Sequence, residues 1–263
     1  QNEIYTHTEQ IQARLHFLSF VFSCAGSPSN FRLSQEQVDI LWSALALDPE
    51  SSDELFNWLL TQVRSRDQHG LGGDMLHHIL IHKIPLLAPE SFSMMALDLL
   101  QTLTQCLITS QQANRIKDVD QVAIKQLWNI ALRANNVDVS MNAIKHLNSY
   151  YIHLQPHSSK LDKEEEFIKQ CMDHLERASK DLAQNEDQSF TIIQRALVLL
   201  KTHLEVFRCR FAYYFRRWQL EGDISFLSHR NRERTGNLVR ISCQLAALTD
   251  KVSENFIILI NLY

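Results

Sequence analysis

The sequence predicts an all-α protein of about nine helices, stacked as an armadillo/HEAT-like α-solenoid, with a short incomplete β segment at the C-terminus. Six glycines and five prolines are few for 263 residues, and these are the residues that interrupt helices most strongly. Apolar residues recur at three- and four-residue spacing, which places them on one helix face. Serine or aspartate precedes many of these stripes, as expected of helix N-caps.

The first predicted helix runs from about Thr8 to Ala25. Its apolar residues recur on one face, beginning with Ile11 and Leu15. The helix is expected to stop at Gly26-Ser27-Pro28 because glycine suits the left-handed cap and proline cannot continue the hydrogen-bond ladder.

The second predicted helix has the clearest start signal in the chain. Ser34 and Gln37 have the spacing of a capping box, in which each side chain bonds to the other residue's backbone N–H. Leu33 and Val38 flank them as a hydrophobic staple. A third helix is expected to open at Ser51 by the same type of signal.

Six more helices follow from the same signals, with a break at Pro156 before the last two. We expect them to begin near Asp74, Ser91 or Ser93, Asp118, Asp138, Leu161 and Ser189. Pro85 is expected to stop the helix that opens at Asp74, and the last two helices are expected to end near Ala183 and Glu221.

Amphipathic helices of this length need neighbours to bury their apolar stripes, and antiparallel pairs meet that need. Successive helix pairs are about 40–45 residues apart, a spacing typical of HEAT and armadillo repeats. A compact irregular bundle is the alternative. We divide the chain into a helical-repeat region (1–155), a continuation of the stack with one long helix (156–221), a polar linker (222–237) and the β segment (238–263).

Composition excludes several classes of protein. The net charge of −4 gives no reason to expect nucleic acid binding, and no apolar run is long enough to span a membrane. The five cysteines are widely spread and form no C-x-x-C pair, which indicates a reducing compartment. Cys24, Cys106 and Cys171 have the spacing of small core residues.

Two motifs could carry metal or phosphate chemistry. His78 and His82 are four residues apart, so one helix face could present both imidazoles to a metal. No third ligand is evident, and we interpret them as partly exposed helix histidines. The glycine-containing stretch 69–73 lacks the Lys-Ser/Thr ending of a phosphate loop and is interpreted as a turn. We therefore expect no catalytic residue, metal or cofactor.

Four arginines near the end of the last helix form the candidate protein-contact edge: Arg208, Arg210, Arg216 and Arg217. Aromatic residues alternate with them, a mixture that can bind nucleic acid or an acidic protein surface. On a helix most of the aromatics fall on a core stripe with the arginines beside it. We therefore favour packing with a charged edge over a nucleic-acid site.

Several long passages are more specific than helix formation requires. Among them are HTEQIQARLHFLSFVFSCAGSP from His7, LWNIALRANNVDVSMNAIKHLNSYYI from Leu127 and LVRISCQLAALTDK from Leu238. In order and over residues 7–251, they resemble the region upstream of the catalytic domain in very large ubiquitin-specific proteases of the fat facets type and its near paralogues.

The resemblance implies a cytoplasmic cysteine deubiquitinase as the parent, with the nucleus as a second location. It implies that residues 1–221 belong to a helical arm and that 238–263 open a ubiquitin-like domain, although the text after Lys251 departs from the family. The family's catalytic Cys and His boxes are absent, so no catalytic residue carries over. We expect a non-catalytic scaffold whose partners are ubiquitinated substrates or the parent's catalytic domain; a stand-alone helical-repeat adaptor is the alternative.

Overall fold

The computed structural model describes residues 5–22, 33–64, 71–109, 113–153 and 160–220, with side chains of 113–117, 152–153, 160–164 and 207–220 left undescribed. Within these ranges the fold is all-α, as predicted, with nine α-helices and no strand. The expected linker and β segment lie outside the described residues. The chain divides into two compact units, Gln1–Gln155 and Pro156–Tyr263.

The first unit holds seven of the described α-helices. They are α1 (His7–Phe22), α2 (Gln35–Leu45), α3 (Ser52–Arg64), α4 (Gly73–His78), α5 (Met94–Thr109), α6 (Ala113–Arg133) and α7 (Val137–His153). The second unit holds α8 (Lys160–Asp181) and α9 (Glu186–Leu220).

Helices of the first unit pack in two layers. In one layer α3 packs against α1 and α5, and α5 also packs against α7. The other layer consists of α2, α4 and α6. Each of these helices packs on the first layer: α2 on α3, α4 on α5, and α6 on both α5 and α7. Because each helix contacts mainly its neighbours along the stack, this unit has the solenoid-like organisation that the sequence predicted.

The core of the first unit lies between the two layers and is mainly aliphatic, with several buried aromatic side chains. Its fully buried side chains come from several helices, so each helix buries its apolar residues by packing against its neighbours. They include Leu55, Leu59, Leu97, Leu99, Leu103, Ile130, Ile144 and Leu147. Trp42 of α2 adds an aromatic contact with Phe56 of α3, with ring centroids 5.7 Å apart.

The second unit consists, in its described part, of α8 packed against α9. Phe167 and Cys171 of α8 and Leu199 of α9 are fully buried. The Phe167 ring lies 4.3 Å from the ring of His203, centroid to centroid. Burial of this apolar stripe is what holds two otherwise polar helices together.

Several predicted helix starts are confirmed. Ser34 and Gln37 form both bonds of the capping box: Gln37 N–H donates to Ser34 Oγ, and Ser34 N–H donates to Gln37 Oε1. Ser93 Oγ accepts from Ala96 N–H and so caps α5. Ser51 directly precedes α3, and its hydroxyl donates to the Asp48 carboxylate.

Three other predicted starts are displaced by two to five residues. Asn136, and not Asp138, caps α7, because its Oδ1 accepts from the backbone N–H of Asp138 at 2.9 Å. Gly72 occupies the N-cap position of α4 in place of Asp74. Asp118 lies inside α6, which begins at Ala113. A polar residue on the exposed side of a helix looks like a cap in sequence, and only the backbone path separates the two cases.

The expected single helix from Asp74 to Ile84 is also wrong. The α-helix ends at His78, a π-helical turn covers Ile79–Lys83, and a short 3-10 turn covers Ile84–Leu86. Ile84 N–H donates to the carbonyl of Ile79, five residues earlier, which is the π pattern. Within the described ranges, no helix is long and apolar enough to cross a membrane.

Candidate functional site

The layer formed by α1, α3, α5 and α7 is crossed by polar bridges between neighbouring helices. Ser19 of α1 accepts hydrogen bonds from Trp58 Nε1 at 2.7 Å and from Gln62 Nε2 at 2.9 Å, both on α3. One step along the layer, Arg64 of α3 contacts both carboxylate oxygens of Asp98 on α5 at 2.7 Å. These bridges join α1 to α3 and α3 to α5 by polar contacts.

Exposed apolar side chains lie on the same layer. Met94 at the start of α5 and Met141 on α7 are both exposed, as is Val137 one turn before Met141. Asn142 Nδ2 contacts the sulfur of Met94 at 3.8 Å and so joins the two helices. Methionine side chains adapt to differently shaped partners, which makes them common at protein-binding surfaces. We call these residues, with Asn142, the methionine patch.

The other layer carries a compact polar cluster. Oδ1 of Asp39 on α2 lies 2.7 Å from Nζ of Lys83 and 2.9 Å from Nε2 of His78. The His78 and His82 rings are 5.2 Å apart, centroid to centroid. The hydrogen bonds from Lys83 and then from His78 lower the pKa of Asp39 below its ordinary value. The cluster therefore links α2 to the π turn through a carboxylate that stays ionised.

The structure brings His78 and His82 together, as their spacing predicts. The nearby carboxylate, that of Asp39, is paired with the ammonium group of Lys83. Lys83 thus occupies the Asp39 oxygen that would be the obvious third ligand. Among the described residues, no group of three or more His, Cys, Asp or Glu side chains could hold a metal ion. The roles of Asp39 and Lys83 were missed in the sequence. Asp39 lies on a distant helix, and Lys83 is five residues from His78, a spacing that shares no face of an α-helix.

The predicted protein-contact edge lies near the end of α9. The backbone places Arg208, Arg210, Arg216 and Arg217 on this helix, whereas their side chains fall outside the described residues. Its role in protein contact therefore stays a prediction.

Two of the cysteines expected in the core have described side chains. Cys171 is fully buried, and burial raises the pKa of its thiol well above the ordinary value. Cys106 is half-buried; burial raises the pKa of its thiol, and the nearby Arg64 offsets part of that rise. A raised pKa keeps a thiol protonated and unreactive, which fits a packing role. Cys24 lies outside the described residues.

Comparison with known proteins places this helical stack in a class. No protein-family model matches the chain. It is homologous to a segment of the large ubiquitin carboxyl-terminal hydrolases, the ubiquitin-specific proteases that the sequence resembles.

Within that class, the chain is 44% identical over 255 residues to ubiquitin carboxyl-terminal hydrolase 34 of human, covering 96% of this chain and 7% of that protein. It is 42% identical to ubiquitin carboxyl-terminal hydrolase puf of Drosophila melanogaster, covering 95% of this chain and 6% of that protein. Identity falls to 24% for mouse hydrolase 9X, over 67% of this chain. The chain thus corresponds to a segment of hydrolase 34 and spans less than a tenth of the length of these relatives.

Proposed function

We propose that this chain is a non-catalytic, protein-interaction scaffold within a large cysteine deubiquitinase. The supporting observation is the two-layer helical stack of the first unit, which matches a small segment of proteins named as ubiquitin hydrolases. Stacked helices form a long, rigid lateral surface, and repeat proteins use such surfaces to bind other proteins.

The layer of α1, α3, α5 and α7 is the best binding surface in the described part of the first unit. Its bridges, Ser19 with Trp58 and Arg64 with Asp98, hold the helices in fixed register. The methionine patch supplies exposed apolar side chains on that rigid base. A rigid surface with a few adaptable apolar groups loses little entropy on binding.

The partners proposed for this surface are proteins: ubiquitinated substrates or the catalytic domain of the parent. The compartment proposed is the cytoplasm, with the nucleus as a second location. The raised thiol pKa of Cys171 and of Cys106 is compatible with unreactive cysteines in a reducing environment.

A ubiquitin–fluorophore assay tests the absence of catalysis. The purified chain is incubated with the substrate beside full-length human hydrolase 34 as the active reference. We expect no fluorophore release by the chain above the buffer rate. Release that disappears on substitution of one of the five cysteines would overturn the proposal.

Cross-linking mass spectrometry of full-length human hydrolase 34 tests the binding surface. We expect cross-links from the helices aligned with α5 and α7 to the catalytic domain or to bound ubiquitinated proteins. Glutamate at the positions aligned with Met94 and Met141 should reduce them, while glutamate at the position aligned with Leu182 should not. Cross-links that are unaffected by the first pair of changes would contradict the assigned surface.

A further inference from the structure

The side of α2 that faces away from the core carries two large apolar side chains. Ile40 is 60% exposed and Leu47 is 67% exposed. Val38 and Trp42 are buried on the opposite side of the helix, because a step of two residues turns an α-helix by about 200°. Ala46, the C-cap, keeps α-helical backbone angles, so Leu47 continues the side on which Ile40 lies, about two turns further on. We call Ile40 and Leu47 the outer ridge.

The segment that carries the outer ridge has only acidic charges. Residues 33–63 contain no Lys, Arg or His. Their acidic residues are Glu36, Asp39, Asp48, Glu50, Asp53 and Glu54. Glu36 lies four residues before Ile40 and so on the same face of α2, and Glu50 lies three residues after Leu47, in the turn before α3. Both are exposed, and within the described ranges neither pairs with a basic side chain.

We propose that the outer ridge docks a basic amphipathic helix of a partner protein. Single exposed apolar residues are ordinary on a protein surface, but two of them on one helix face, seven residues apart, match the spacing of the anchors by which helices recognise each other. The partner's apolar side chains pack over Ile40 and Leu47, and its Lys or Arg side chains lie beside Glu36 and Glu50. The charges favour this partner over a nucleic acid or an anionic membrane, both of which an acidic surface repels.

This surface goes beyond the proposed function, because it lies on the layer of α2, α4 and α6 and shares no residue with the methionine patch. Its two parts have separate roles. Burial of the outer ridge supplies the affinity, as apolar anchors do at the centre of an interface. The exposed carboxylates at either end select a basic partner and speed its association.

Fluorescence anisotropy with the full 263-residue chain tests the proposal. The probe is a labelled, designed helical peptide of about 18 residues, with leucines on one face and lysines on the other; a version with glutamate in place of lysine is the matched control peptide. We expect saturable binding of the basic peptide only. Ile40→Ser with Leu47→Ser should weaken it by about tenfold or more, whereas Val137→Ser, at an exposed apolar position on α7, should change it by less than about twofold.

A second pair of changes tests the charges. Glu36→Gln with Glu50→Gln should weaken binding by about three- to tenfold at low salt and reduce its salt dependence. Urea midpoints close to that of the wild type show that each variant is folded. Absence of binding, equal binding of the glutamate peptide, or full affinity in the Ile40/Leu47 variant would overturn the proposal. Self-association of the chain that the Ile40/Leu47 changes abolish would assign the outer ridge to a second copy and would overturn it as well.

Discussion

His78 and Lys83 are five residues apart in sequence, yet both place a side-chain nitrogen within 3 Å of the same oxygen, Oδ1 of Asp39. In an α-helix, side chains five apart diverge by about 140° around the axis. The π turn at Ile79–Lys83 closes its hydrogen bonds between residues five apart and so brings the two side chains to one side. The local departure from α-helical geometry thus creates the link between α2 and α4.

Removing the shared carboxylate should weaken the attachment of α2. We expect Asp39→Asn to lower the free energy of unfolding by about 0.5–1 kcal/mol, because the ion pair with Lys83 is partly exposed. Urea unfolding at pH 7 measures the change. Glu50→Gln, at an exposed position between α2 and α3, is the control and should stay within about 0.5 kcal/mol of the wild type. An unchanged midpoint for Asp39→Asn would show that the cluster contributes nothing to stability.

The contribution of Asp39 should also depend on pH. Its folded-state pKa lies below the ordinary value of 3.8, so the folded state binds this proton less readily than the unfolded state does. The stabilisation is therefore fully present above pH 3.8 and is lost as pH falls through the folded-state pKa. The difference in urea midpoint between wild type and Asp39→Asn should be present at pH 5 and shrink below about pH 4. A difference that does not shrink below about pH 4 would contradict this linkage.

A leucine inside the π turn and a leucine after it should differ sharply in their cost of truncation. Leu80 is fully buried, whereas Leu86 is 63% exposed. We expect Leu80→Ala to destabilise by about 2–5 kcal/mol through lost packing and a residual cavity. Leu86→Ala makes the same chemical change in solvent and should cost less than about 0.5 kcal/mol. Equal unfolding midpoints for the two variants would show that the turn is packed differently.

The Cys171 thiol should be unreactive in the folded protein. It is fully buried and its pKa is raised by burial, so little thiolate exists at neutral pH. Peptide-level mass spectrometry after iodoacetamide treatment should find Cys171 unmodified in buffer and modified in urea. Native-state alkylation as fast as that of an unfolded thiol would place Cys171 outside the core.

Helix starts were predictable from the sequence where a side chain caps the backbone of its own helix. The capping box of Ser34 and Gln37 needs only residues three apart, and it forms as the spacing predicts. The predicted start of α7 is two residues too late because Asn136 and Asp138 are both favourable N-cap residues by type. Packing decides which of the two residues is the cap. Val139 and Ser140 are buried against the rest of the stack, and this fixes the backbone so that Asn136 takes the N-cap position.

The sequence by itself determined that the described chain would be helical and that its helices would need neighbours, because apolar periodicity and helix-end chemistry are local properties. Its similarity to large ubiquitin hydrolases was also readable from residue order. Tertiary structure alone decided that Lys83 would meet Asp39, that α3 would lie between α1 and α5, and that Phe17 would face away from the core. Those facts depend on which distant surfaces pack together and on one turn leaving the α-helical period, and neither is encoded in a single stretch of residues.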